Sequence, residues 1–136
     1  MTQVTLVGSD MALLEGLAQS LSALGHRTTV TRSFAEAAEL AVALPPLVLV
    51  ADRALASEAG ADLLGVPLTN GGARLLYTTT SSPLAPLLPA LQRAVLADLT
   101  LPLERHRLAA LVQSIGERAR LTGRSARHTP TEGRAI

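Results

Sequence analysis

The chain has 136 residues, of which 48% are apolar and 17% charged, enough for one domain with a full hydrophobic core and too apolar for disorder. It contains no cysteine, so disulfides and thiolate metal sites are excluded. All twelve basic residues are arginine: seven stand against ten acids in residues 1–117, and five against one in 118–136, so the net charge of +1 joins a mildly acidic body to a basic tail.

The chain then alternates two periodicities. Val4, Leu6 and Val7 predict a first strand, and Ser9 or Asp10 can cap a helix whose Met11, Leu14, Leu17, Leu21 and Leu24 recur at helical spacing until Gly25. Arg27 to Thr31, rich in β-branched residues, predicts a second strand. Ser33 with Glu36 forms a capping box for an alanine-rich second helix ending near Pro45. Leu47 to Ala51 lacks polar alternation and predicts a strand buried on both faces, followed by Asp52 and a short helix around Ala61 to Leu64. Asn70-Gly71-Gly72 turns the chain into a fourth strand, Arg74 to Thr78.

Ser82 and Pro83 suit a helix start, yet Pro86 and Pro89 would break a helix interior, so the fourth helix is expected from Pro89 to about Ala94. A fifth strand over Val95 to Leu99 ends at Leu101-Pro102, and Leu108, Leu111, Val112 and Ile115 stripe a last helix. Five strand and helix pairs imply a single α/β domain over residues 1–120, doubly wound, with a five-stranded parallel sheet and helices on both faces. Residues 121–136, with Gly123, Pro130 and Gly133, read as a basic flexible tail. Lacking aromatics to stack bases, this tail does not suggest nucleic-acid binding. No signal peptide or membrane-length apolar run is visible, and the expected location is the cytoplasm.

Parallel sheets place ligands at the carboxyl ends of their strands, which makes Asp52 the natural position for chemistry. Around it stand Gly8, Ser9 and Asp10 after the first strand, and Thr78 closing the fourth. Residues 3–117 resemble the receiver domain of bacterial two-component response regulators, a flavodoxin-like (CheY-like) fold with strand order 2-1-3-4-5. Asp52 lies where that family carries its phospho-accepting aspartate, Leu55 at its usual methionine, Gly60 at its glycine, and Thr78 at its switch hydroxyl. Leu101-Pro102-Leu103, with Leu108 beyond, resembles the family's Lys-Pro-Phe segment, which makes Leu101-Pro102 a candidate cis peptide bond.

Departures from the family fall on its chemistry. Gly8 and Ser9 replace the acidic pair that holds Mg²⁺, with only Asp10 remaining one position late. Leu101 replaces the lysine, and Asp98 the switch aromatic. Phosphoryl transfer depends on positioning and charge stabilisation, so the resemblance implies a degenerate, pseudo-receiver form with Asp52 as a vestigial acceptor or a capping acid. Catalytic motifs of other kinds are absent, and His26, His106 and His128 have no metal-ligand spacing, so neither an enzyme nor a metal or cofactor site is expected.

The expected role is a phosphorylation-independent protein-interaction module. Its partner would be a histidine kinase or regulatory protein, or a second copy in a homodimer. By resemblance, the docking face is the fourth helix, fifth strand and fifth helix, with Leu84, Leu87, Leu88, Leu91, Arg93, Arg105 and Arg107. The alternatives are an atypical regulator phosphorylated on Asp52 with Mg²⁺, and a small-molecule or nucleotide sensor using the pocket near Gly8, Asp52 and Thr78.

Overall fold

Side chains that follow one another along a strand point to opposite faces of a sheet, so a strand apolar at every position needs helices on both sides. The computed structural model describes residues 2–56, 60–79 and 88–135, with side chains through Leu121. In it, Val48 and Val50 enter one core while Leu49 and Ala51 enter the other.

The elements follow the expected alternation: β1 (Gln3–Val7), α1 (Met11–Ala23), β2 (Arg27–Thr31), α2 (Phe34–Ala43), β3 (Val48–Asp52), a single 3-10 turn (Arg53–Leu55), α3 (Ala61–Leu64), β4 (Ala73–Thr78), α4 (Pro89–Ala94), β5 (Val95–Thr100) and α5 (Arg105–Ala135). All strands are parallel, in the order β2-β1-β3-β4-β5. Helices α1 and α5 cover one face through Leu14, Leu17, Leu21, Leu108, Val112 and Ile115. The other face is covered by Phe34, Ala37, Ala41, Leu63 and Leu91 of α2, α3 and α4. Such apolar burial, at about 25 cal/mol per Å² removed from water, is the main favourable term for a domain of this size.

Local signals explain the ends of the elements. Asp10, rather than Ser9, caps α1 by accepting from the Leu13 amide at 3.2 Å, and Gly25 closes that helix at φ +93°. The Ser33 hydroxyl accepts from Glu36 N at 3.1 Å, half of the expected capping box. Pro89 stands in the first turn of α4, where its missing N–H has no helical partner to lose. The earlier prolines Pro83 and Pro86, with Ser82, lie outside the described residues.

Several strand ends differ from expectation by one residue, and two boundaries bear on the site and on the tail. Strand β3 extends through Asp52, whose backbone pairs in register with Tyr77. Helix α5 continues to Ala135, through the segment that composition assigned to a tail, although Gly123, Pro130 and Gly133 within it disfavour helix and nothing in the structure explains its continuity. Among the described residues no helix is long and apolar enough to cross a membrane.

Candidate functional site

Register brings the carboxyl ends of four strands to one edge: Val7 lies opposite Ala51, Asp52 opposite Tyr77, and Thr78 opposite Thr100. This edge therefore gathers Gly8, Asp52, Thr78 and Leu101 as the sequence predicted. Asp52 is half-buried, and one of its carboxylate oxygens accepts from Ala54 N at 2.9 Å, so it caps the turn that follows its strand. The capping reading of Asp52 thus has a direct geometric counterpart.

Tyr77, which the sequence reading treated only as a strand residue, fills the middle of this edge. Its side chain is fully buried against α1 and β1, and its hydroxyl has no hydrogen-bond partner. A Cβ added to Gly8 would collide with that hydroxyl and stand 3.3 Å from Leu14 Cδ1 and 3.4 Å from Tyr77 Cζ. Gly8 does not have a positive φ, so side-chain space rather than backbone conformation requires glycine here. The two residues are complementary: the phenol occupies the volume that a side chain at position 8 would need. Burial, followed by the negative charges of Asp52 and Asp10, pushes the Tyr77 phenol well above its usual range, so it is neutral at ordinary pH.

Leu101, Asp98 and Gly60 also have defined structural contacts. Leu101 is 1% exposed and packs in the core beneath α1 and α5. Its amide donates to Thr78 O at 2.8 Å, and the Leu101–Pro102 peptide bond is cis. Asp98 forms a 2.7 Å ion pair with Arg53, tying β5 to the turn after Asp52. The sequence carried no sign of this bridge, because its members are 45 residues apart. Gly60 adopts φ +70° and its missing Cβ makes room for Leu91 of α4, so glycine is required there on both counts.

As a Mg²⁺ site these residues do not fit. Gly8 offers no ligand, the Tyr77 phenol takes the adjoining space, and Asp10 and Asp52 each have an oxygen bound in a backbone cap. An octahedral, charge-rich oxygen shell is not available from that set.

The expected docking face divides by burial. Leu91 belongs to the core at 2% exposure, while Leu88, Arg93, Arg105 and Arg107 are exposed. Leu84 and Leu87 lie outside the described residues. Two further leucines extend this surface: Leu96 on edge strand β5, 52% exposed, and Leu103, 80% exposed. Leu96 is the residue skipped where the β4–β5 register shifts, Arg74 pairing with Val95 and Leu75 with Ala97, so the bulge turns it out of both cores, and the sequence pattern carried no signal for it.

No family model and no curated protein sequence matches the chain. Solved structures do. The chain is similar to a response regulator receiver domain from Clostridium thermocellum, with TM-score 0.71 and 14% identity over 90% of this chain and 99% of that one. It is also similar to the receiver domain of Francisella response regulator 1452, with TM-score 0.65 and 15% identity over 88% and 99%. The pseudo-receiver domain of the CikA protein matches with TM-score 0.61 and 16% identity over 85% and 97%. The fold is that of response-regulator receiver domains.

Proposed function

We propose that the chain is a degenerate receiver that acts in signal transduction through protein contacts, without phosphorylation of Asp52. The observation that carries this reading is the Gly8–Tyr77 pair. A buried neutral phenol stands beside the acceptor position where phosphoryl transfer needs a metal and a cation. Leu101 supports it as well: an apolar side chain sealed in the core supplies no charge to a phosphoryl group. The Arg53–Asp98 ion pair also supports it, linking the acceptor loop to β5 at the position where the family carries its switch aromatic.

The partner is a regulatory protein or histidine kinase, or a second copy of the chain, engaged through α4, β5 and the start of α5. Exposed Leu88, Leu96 and Leu103 among Arg93, Arg105 and Arg107 give that face the mixture of apolar and arginine residues enriched at interfaces. The setting is the cytoplasm. The test is incubation with Mg²⁺ and acetyl phosphate, or with beryllofluoride, followed by intact-mass measurement and amide spectra. No adduct and no spectral shift are expected; an adduct lost in Asp52→Asn would establish the phosphorylated alternative instead. Capture from native extract, with Leu96→Arg and Leu103→Arg as controls, tests the face separately.

A further inference from the structure

The face formed by α4, β5 and the start of α5 carries a charge pattern that decides between its possible occupants. Its two carboxylates are already engaged within the chain. Asp98 accepts from Arg53 at 2.7 Å. Glu104 uses both oxygens: one accepts from the Thr100 amide at 2.8 Å, the other from Arg107 at 3.0 Å. Arg93 and Arg105 are left over. Both are exposed, and neither guanidinium forms a hydrogen bond or ion pair with a described residue. Residues 80–87, which precede α4, contain no charge of either sign.

The face therefore presents two uncompensated guanidiniums together with the exposed side chains of Leu88, Leu96 and Leu103. A second copy docking face to face would repeat this patch across a two-fold axis. Such an interface would gather four guanidiniums and no free carboxylate, and like charges brought together oppose association. A partner that supplies carboxylates meets the opposite balance: its acids find unpaired arginines whose planar forks can hold a carboxylate through two hydrogen bonds. The leucines select further, because a purely polar acidic segment would leave them uncovered.

We propose that the occupant of this face is another protein, and not a second copy, with a contact surface of carboxylates and apolar side chains. Arg93 and Arg105 pair with its acids while Leu96 and Leu103 cover its apolar groups. The inference rests on the reading above that this face is the docking surface, and it narrows the partner from three candidates to one chemical class.

The experiment titrates the ¹⁵N-labelled full chain with two synthetic amphipathic peptides of one leucine pattern, one with glutamate and the other with lysine at every polar position. The glutamate peptide should give saturable shifts in the amides of residues 88–107, weakened by added salt, and the lysine peptide none. The charge reversal Arg93→Glu with Arg105→Glu should weaken glutamate-peptide binding about tenfold, or about 1.4 kcal/mol. Both side chains are exposed, and an unchanged urea midpoint verifies that the variant is folded; Arg105→Gln alone provides a milder second variant. Sedimentation of the parent should show a monomer. Equal binding of both peptides on this face would leave the docking surface standing and overturn the acidic partner. Shifts confined to other residues, or no saturable shift with the glutamate peptide, would overturn both readings. Unchanged affinity in the double variant, or a dimer dissolved by Leu96→Arg, would refute the choice of partner.

Discussion

Substituting alanine at Gly8 tests the packing on which the functional reading rests. The new methyl group meets Tyr77 Oη first, and the next atoms stand at 3.3 and 3.4 Å, so nearly all of the strain comes from one hydroxyl. Overpacking of this kind costs about 1–3 kcal/mol. Tyr77→Phe removes that oxygen, and because the hydroxyl is buried without a partner, its loss should stabilise the fold by about 1 kcal/mol. In the Tyr77→Phe background, Gly8→Ala should therefore cost far less than in the parent, with a coupling energy of about 1 kcal/mol or more. Urea unfolding of the parent, both single variants and the double variant gives this number, since 1 kcal/mol moves the midpoint by about 0.5 M. Additive effects, within the ~0.5 kcal/mol typical of independent sites, would refute the claim that the phenol occupies the space of side chain 8.

The other predictions concern electrostatics and capping. His26 has a lowered pKa in the folded chain, so the unfolded chain binds more protons below pH 6.5; stability should be full above that value and fall as pH drops below it, and His26→Leu should flatten urea midpoints measured between pH 7.5 and 5.5. Glu104 accepts from Thr100 N at 2.8 Å and pairs with Arg107 at 3.0 Å, and these contacts hold its carboxyl below the usual range. The stabilisation it gives is present above the unfolded value and lost as pH falls through the lower folded one; carboxyl NMR titration should show this, and Arg107→Ala should raise the midpoint. Arg74 donates to the carbonyls of Leu63, Leu64 and Val66 at 3.3, 3.3 and 3.0 Å, so Arg74→Leu should lower unfolding free energy by about 1–3 kcal/mol, with Arg74→Lys recovering only part. Ser33→Ala should cost about 1 kcal/mol in the same assay through loss of the α2 cap.

What the sequence made legible was governed by local chemistry. The double-sided burial of Val48 to Ala51 followed from its lack of alternation, and the start of α4 at Pro89 from the one helix position where proline is tolerated. The candidate edge was also readable, because residues at the ends of parallel strands are placed by topology alone. The interactions that occupy that edge were not. Tyr77 meets Gly8 across 69 positions of sequence, and Arg53 meets Asp98 across 45; neither pairing has a periodicity or a spacing to betray it. The same holds for Arg74, which reads as an ordinary first residue of a strand until the three carbonyls at the end of α3 are placed around its guanidinium.

These pairings change the meaning of the substitutions at the edge. On the proposed degenerate reading, Gly8 and Leu101 stand where the family carries an acid and a lysine, and introducing either group alone is a direct test of that reading. The structure makes each depend on its surroundings. An aspartate at position 8 collides with the Tyr77 hydroxyl, and a lysine at position 101 begins from a site that is 1% exposed within an apolar core. Burying an unpaired ammonium costs several kcal/mol, or else lowers its pKa until it is neutral. Leu101→Lys alone should therefore destabilise the domain without creating a phosphate partner. Gly8→Asp should be tolerated only when Tyr77 is also replaced by a smaller residue. If Gly8→Asp alone leaves the urea midpoint unchanged and confers Mg²⁺ binding, measured by calorimetry, the phenol is not the obstacle and the edge has kept an open receiver pocket.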